Sequence, residues 1–471
     1  MKKFLFMFLL VAAVAGVFSF VRAAEDEAMG EKKFILHGEI RQRADFNDNL
    51  TDFSGDFDDS FLMFPYRARI GAEGHFSKDV TGYIEFQAFG VWGDAPPIRG
   101  DQFGPVGGDN DSFPSFPSGT NIQQNARSGQ NFGNDVELYQ AYLSFTKIAG
   151  SNFSLMLRRQ EIVEGTEMLL GDNDFYSGIS HDAAVGCWQS KHFDLDVWWS
   201  RPLQTPAPAT VVPDPVTPVS VPDHQSINFY GAYLDWNRYD SGIGWAAYLL
   251  DYEDGLSTGL PDSERRQFWT IGARTDRDVT GKSGFYWNAE YAYQTGDWNN
   301  GPGLGDTGSI KASGLEAMIG YNFHGSKDRK VQIIFDQASG DKDSTDQDAK
   351  FFDPLFQDSH GRYGLTDIFT FSDLTVWGAG FHSAIGDRTT WGVDYFNQSL
   401  TEDIVGGPAD GENKLGQEVD GWYKFQYTTN TQITAGLAWF DPGDAIDAVN
   451  SAFGASTDSG IRFVTQARLR W

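Results

Sequence analysis

Gly460–Trp471 reads G-I-R-F-V-T-Q-A-R-L-R-W, with Ile461, Phe463, Thr465, Ala467, Leu469 and Trp471 on one side and Arg462, Val464, Gln466, Arg468 and Arg470 on the other. Successive side chains of a strand point to opposite faces. Taken alone, the stretch also fits a soluble sandwich with its apolar face on a core. About eighteen such strands behind an export signal reverse that sense, because an outer-membrane barrel turns apolar faces to lipid and polar faces to a watery lumen. Trp471 then belongs to the lower aromatic girdle, and Arg462, Arg468 and Arg470 form a basic ladder inside a pore.

The chain opens with Lys2 and Lys3, an apolar run from Phe4 to Val21, and Val21-Arg22-Ala23 at the place a signal peptidase reads. This predicts a secretory signal over residues 1–23 and a single outer-membrane barrel domain over 24–471. A retained membrane helix is the rival reading. Beyond Ala23 no apolar stretch approaches the roughly 20 residues a spanning helix needs, so a membrane location implies strands. Loss of the leader removes three cations and takes the formal charge from -29 to -32, which argues against nucleic-acid binding. Aromatic residues at 15% and 53 glycines suit girdles and tight turns. Cys187 has no second cysteine to pair with, so there is no disulfide framework.

Alternating segments run from Phe34 to the end. Near the start, Leu36, Gly38 and Ile40 oppose Glu39, Arg41 and Arg43, then Tyr66, Ala68 and Ile70 oppose Arg67, Arg69 and Glu73, and Ile84, Phe86 and Ala88 oppose Tyr83, Glu85 and Gln87. The clearest sets Phe285, Trp287, Ala289, Tyr291 and Tyr293 against Tyr286, Asn288, Glu290 and Gln294. Connections alternate in length. Short ones near Ser77, Gly150, Lys191, Asp240, Thr280, Ser326, Asp387 and Asn430 fall between long ones at 47–60, 93–133, 161–182, 201–226, 251–267, 297–309, 341–371, 401–414 and 442–459. Short periplasmic turns and long outer loops are the pattern of a bacterial barrel, and an even strand count puts both termini in the periplasm. A propeller or tandem sandwich does not predict this parity. The fold class is therefore all-β, an antiparallel transmembrane barrel of about eighteen strands.

Six stretches in order resemble the alginate-export family of outer-membrane porins. They are G-E-I-R-Q-R at Gly38–Arg43, R-R-Q-E-I-V-E-G-T-E-M-L-L-G-D at Arg158–Asp172, S-H-D-A at Ser180–Ala183, A-S-G-D at Ala338–Asp341, F-F-D-P-L-F-Q-D-S-H-G-R-Y-G-L-T-D at Phe351–Asp367, and L-G-Q-E-V-D with W-F-D-P-G-D at Leu415–Asp420 and Trp439–Asp444. The resemblance implies eighteen strands and a lumen lined by basic residues that guide an anionic polymer. The exporter that names the family is similar in having a last periplasmic turn, but there it is a long loop that obstructs the pore. Here that turn is Tyr427–Thr431, which favours a more open channel restricted from outside by residues 93–133.

The pore-lining basic candidates are Arg41, Arg43, Arg67, Arg69, Arg158, Arg274, Lys424, Arg462, Arg468 and Arg470. Closing the barrel brings the last strand beside the first, so Arg462, Arg468 and Arg470 neighbour Arg41 and Arg43. Guanidinium groups suit carboxylates, and a stripe of them favours anions. The acidic candidates are Glu39, Glu73, Glu85, Glu290, Glu418 and Asp420, and pairing with them would make the arginines braces of the wall instead. Asp341, Asp343, Asp346 and Asp348 are at a spacing that can bind calcium, but the stretch lacks the central Gly and terminal Glu of an EF-hand, and a solvated acidic surface bridged to lipopolysaccharide fits as well. His181-Asp182 after Ser180 cannot form a relay on an extended chain without help from the fold, and reads as structural. The Pro-rich Pro202–Pro222 reads as an extended outer loop, and Gly301–Gly305 lies in a loop, where a nucleotide-binding reading fails. No C-x-x-C-H is present, so no haem or other cofactor is called for.

Together these features predict a passive, water-filled outer-membrane porin for anionic solutes, either small carboxylates or an acidic oligosaccharide. Its surroundings would be outer-membrane lipid and lipopolysaccharide, and its C-terminal strand would engage the barrel-assembly machinery. The rivals are an outer-membrane enzyme, which needs a Ser-His pair on the lipid-facing side, and a barrel sheath around a periplasmic electron carrier. The oligomeric state is left open.

Overall fold

The computed structural model describes residues 33–56, 59–92, 136–202, 227–236, 242–254, 266–279, 281–299, 307–325, 328–343, 346 and 348–471. The predicted leader, the restricting segment 93–133, Pro202–Pro222 other than Pro202 itself, and Gly301–Gly305 lie outside them. The wall is a closed barrel of eighteen strands: β1 (Lys33–Asp48), β2 (Pro65–Ser77), β3 (Val80–Val91), β4 (Val136–Phe145), β5 (Phe153–Gln160), β6 (His181–Gln189), β7 (Phe193–Arg201), β8 (Ile227–Trp236), β9 (Ile243–Asp254), β10 (Arg266–Arg277), β11 (Gly284–Asn299), β12 (Thr307–Phe323), β13 (Arg329–Ala338), β14 (Leu374–Ile385), β15 (Thr389–Leu400), β16 (Lys414–Gln426), β17 (Thr431–Pro442) and β18 (Gly460–Arg470). Each pairs antiparallel with the next, and β18 closes on β1 with Arg470 opposite Glu39, Arg468 opposite Arg41 and Gln466 opposite Arg43. A short helix, α1 (Asp444–Ala452), lies in the last long connection.

The alternation has the expected sense. Ile271, Ile333 and Trp377 are each more than half exposed on the outside, where lipid covers them, while Thr270, Glu290 and Gln294 face inward and are buried. Trp471 sits over the outward side of Gly38, where a Cβ would collide with the indole ring. The girdle position of Trp471 thus needs glycine beside it.

The interior corrects the expectation of a water-filled lumen. From β6 round to β16 many inward positions are apolar and almost completely buried, among them Trp198, Phe229, Tyr252, Phe268, Val376 and Phe396. Two connections expected outside fold into the barrel and meet this wall: residues 161–180 bring Met168, Leu169 and Leu170, and residues 350–373 bring Phe352, Leu355, Phe356 and Phe371 into the same core. Phe352, Leu355, Phe356 and Phe371 are all 0% exposed, and each such burial contributes about 1.5–3 kcal/mol. That gain keeps the loops inside. The two inner loops are also stitched together, with Gly171 N–H donating to Phe356 C=O at 2.7 Å, Phe356 N–H to Leu169 C=O at 2.9 Å and Asp358 N–H to Glu167 C=O at 3.2 Å. The short last turn is as expected, closed by Tyr427 N–H on Thr431 C=O at 2.9 Å.

Candidate functional site

The register places the basic ladder on one side of the lumen. Arg41 lies between Arg67 on β2 and Arg468 on β18, and Glu39 between Arg69 and Arg470. So many like charges side by side need compensation. The first inner loop supplies it chiefly through backbone oxygens: Arg41 donates to the carbonyls of Asp174 and Tyr176, Arg43 to that of Phe175, Arg67 to those of Asp174 and Tyr176, and Arg69 to that of Ser177. The second loop does the same for Arg462, which donates to Leu365 C=O at 2.9 Å and Thr366 C=O at 3.3 Å. Gly178 has φ +91°, and a Cβ there would lie 2.5 Å from both Arg69 Nη2 and Tyr139 Oη, so this loop exit requires glycine.

Carboxylates complete the neutralisation. Glu39 takes Arg67 at 2.6 Å and Arg470 at 2.8 Å, and Asp45 takes Arg462 at 2.8 Å. Asp174 lies 2.6 Å from Arg67, 3.1 Å from Arg69, 3.3 Å from Arg470 and 3.6 Å from Arg468. Burial alone would raise its carboxyl, but Arg67, Arg69 and Arg41 outweigh burial and hold it well below the usual carboxylate range. Asp367 accepts from Arg462 at 2.7 Å, His360 at 2.6 Å, Tyr176 at 2.5 Å and the Gly361 N–H at 2.7 Å. It too is held low, by His360 and Arg462 against burial. The Phe175 ring stacks on His360 and lies under Arg43, whose guanidinium carbon is 3.5 Å from the ring centre.

Of the six wall acids expected to brace the arginines, Glu39 alone does so directly, while Asp45, which was not among them, holds Arg462. Glu290 accepts the Thr166 N–H at 2.8 Å and the Tyr248 hydroxyl at 2.8 Å; Glu418 accepts the Thr366 N–H at 2.8 Å and its hydroxyl at 2.5 Å; Asp420 accepts the Leu365 N–H at 2.9 Å. These three serve the inner loops, because a folded-in loop has amides that must be satisfied. Glu73 lies between His37 and His75, and Glu85 accepts from Gln140 at 3.3 Å. Arg274 donates to Asn288 of the neighbouring strand at 3.2 Å, and Lys424 is exposed on the same face as Glu418 and Asp420. Arg158 differs from the other basic candidates, being 70% exposed at φ +101° with Asp182 at 4.0 Å, beside the Arg159–Asp182 pair at 3.0 Å.

Among the described residues, two cavities lie towards the short-turn end. One of about 800 Å³ lies against the ladder, with Arg69, Arg468 and Arg470 facing Glu39, Glu85, Glu161, Asp172 and Asp174 and with Gln140, Gln426 and Gln432 between them. The other, about 320 Å³, sets Arg362 among Glu316, Asp336 and Asp358. Arg362 is tied to Glu316 at 2.7 Å. Where the loops join, Glu167, Asp172 and Asp358 bring carboxylate oxygens within 4.8 Å of one another. Burial and the charges of Asp358 and Asp172 push Glu167 up to about 7, and burial raises Asp172 and Asp358 as well. Of the acidic residues whose spacing could suit calcium, Asp346 pairs with Lys350 at 2.5 Å, Asp348 with Lys311 at 2.8 Å, and Asp341 accepts the Asp343 N–H at 3.2 Å. His181 is fully buried, 3.1 Å from Ser200, in keeping with a structural role, and Cys187 packs beside the inner core.

Sequence reasoning assigned no role to Asp174, Phe175, Tyr176, Arg362, Asp367, Glu316 or Asp336. The signal was present in Met168-Leu169-Leu170 and in Phe351, Phe352, Leu355 and Phe356, apolar groups that a solvated outer loop has no place to bury.

The profile of the family described as Alginate export matches residues 115–457. No curated protein sequence matches the chain. Among solved structures, the barrel is similar to the outer membrane protein OprD of Pseudomonas aeruginosa, with a TM-score of 0.54, 11% identity and 95% of each chain covered. It is similar to OccAB1 of Acinetobacter baumannii, with a TM-score of 0.54, 10% identity and 93% of this chain against 96% of that one. A third is OpdK of Pseudomonas aeruginosa solved with vanillate, with a TM-score of 0.50, 9% identity and coverage of 93% and 99%. At these identities the likeness is one of fold, a barrel of the outer membrane. A profile match over most of the chain, on an eighteen-stranded barrel with an arginine wall and two inward loops, makes the protein a member of the alginate-export family and an outer-membrane channel.

Proposed function

We propose that this channel passes anionic solutes, small carboxylates or acidic oligosaccharides, along the arginine side of its lumen. The observation that carries the reading is the cavity of about 800 Å³ onto which Arg468 and Arg470 open, with Arg69 in the wall beside them. Guanidinium groups match carboxylates with paired donors and keep their charge at any working pH. The family description, Alginate export, points to an acidic polymer, and one similar barrel was solved with vanillate, a carboxylate. Much of the opposite wall is an apolar core filled by loop side chains, which supports the arginine side as the route for a charged solute.

A second reading rests on the same cavity. Five carboxylates, those of Glu39, Glu85, Glu161, Asp172 and Asp174, line it beside the three arginines, and an excess of acids would favour cations. The reversal potential of the purified protein in a planar bilayer under a potassium chloride gradient separates the two. Chloride selectivity supports the anion channel; potassium selectivity means that the acids govern passage.

A further inference from the structure

We infer that Asp174 is a built-in competitor for the carboxylate of the transported solute, so that a solute passing Arg468 and Arg470 must take its place. The inference rests on the anion-channel reading above. The two carboxylate oxygens of Asp174 face different partners. Oδ1 lies against Arg67 and Arg69, at 2.6 and 3.1 Å, whose side chains are 0% and 8% exposed and belong to the packed wall. Oδ2 lies 3.3 Å from Arg470 and 3.6 Å from Arg468, whose side chains are 54% and 24% exposed and open onto the cavity. The first pair is buried and short. The second is longer and wet, and exposed ion pairs exchange readily because their net worth is about 0–1 kcal/mol.

The backbone around Asp174 is fixed independently of this carboxylate. Arg41 and Arg67 hold its carbonyl, Arg43 holds that of Phe175, and its own N–H donates to Asp172 at 3.0 Å. The loop thus presents one carboxylate at the end of a run of peptide oxygens, to guanidinium groups that would serve a uronic acid equally well. Glu39 shares Arg470 through its Oε2 at 2.8 Å, but it is a wall residue buried beside Arg67, whereas Asp174 stands at the edge of the cavity. Arg468 and Arg470 become the specificity-determining pair, and Arg41, Arg43, Arg67 and Arg462 positioning residues for the loops.

The test is block of the potassium chloride current by sodium glucuronate added on the short-turn side, with glucose as the neutral control. Asp174→Asn should tighten glucuronate block about fivefold, the scale of removing one charge about 4 Å from a hydrated site. Asp174→Glu should keep the wild-type value, and Arg468→Gln with Arg470→Gln on top of Asp174→Asn should abolish the gain. Unchanged block in a correctly folded Asp174→Asn barrel, checked by its heat-dependent gel mobility, overturns the inference. So does a gain that survives loss of both arginines. A potassium-selective wild type overturns the anion-channel reading alone, since the change in glucuronate block on Asp174→Asn is read independently of it.

Discussion

Replacing Arg462 by Gln severs the joint between the barrel wall and the second inner loop. Arg462 is 6% exposed and makes two bonds to Asp45, at 3.0 and 2.8 Å, one to Asp367 at 2.7 Å, and two to the carbonyls of Leu365 and Thr366. Glutamine cannot span these partners. Asp45 would be left 3% exposed without its main cation, and Asp367 would keep His360 and Tyr176 but lose the guanidinium. Removing one partner of a buried ion pair costs about 3–5 kcal/mol, most of it the stranded charge. This cost falls on loop anchorage, because the barrel hydrogen bonds between β18 and its neighbours are made by backbone. Trypsin reads it directly, since the bond after Arg362 lies in the anchored loop, and cleavage there follows the open population when reclosing is fast. Cleavage should accelerate by two orders of magnitude or more, about the factor that such an energy sets at 1.4 kcal/mol per tenfold. Asp45→Asn combined with Arg462→Gln should recover part of the loss, because the stranded charge is then gone. Unchanged cleavage in Arg462→Gln would show that the loop is held by its apolar core alone.

Phe356→Ala removes a side chain shared by both loops and packed on His181 and Phe229. A cost of about 3–5 kcal/mol is expected, seen as a lower thermal midpoint and a noisier single-channel current. Glu167, raised to about 7 from an ordinary 4.5, binds a proton in the folded state that the unfolded chain has released across that window. Its contribution to stability is therefore full below pH 4.5 and is lost as pH rises through 7. Asp174 and Asp367, held low, act in the opposite sense and lose their contribution only as pH falls below the usual carboxylate range. Glu167→Gln should flatten the decline of stability between pH 4.5 and 7, read from thermal unfolding, by about 1 kcal/mol after allowance for solvent screening, and an unchanged slope would exclude the loop junction as its source.

The barrel was legible because a period of two survives in most strands: Phe285 to Tyr293 alternates outward, Tyr286 to Gln294 inward, and the structure keeps both faces. Ladder adjacency was legible as well, since closing a barrel leaves Arg468 little choice of neighbour but Arg41. Periodicity says which side chains share a face but not what that face meets. Phe229, Tyr252 and Phe268 point inward to protein, not water, and that depends on where residues 161–180 and 350–373 go. Loop length alone suggested the outside. The role of the arginines stayed open in the sequence for the same reason, because their partners are mostly peptide carbonyls of a loop, which carry no residue signature.

Passage of solute along the cavity that Arg468 and Arg470 line, not through the apolar side, is what the proposed function requires. Single cysteines in a Cys187→Ser background, modified by a bulky charged thiol reagent during bilayer recording, test it most directly. Gln432→Cys lies on the cavity beside Arg468, and Ala292→Cys lies on the opposite wall, 0% exposed against the loop core. The account predicts that modification of Gln432→Cys reduces the current and that Ala292→Cys is untouched. Block from Ala292→Cys with an unaffected current at Gln432→Cys would place the path on the wrong side of the loops and contradict it.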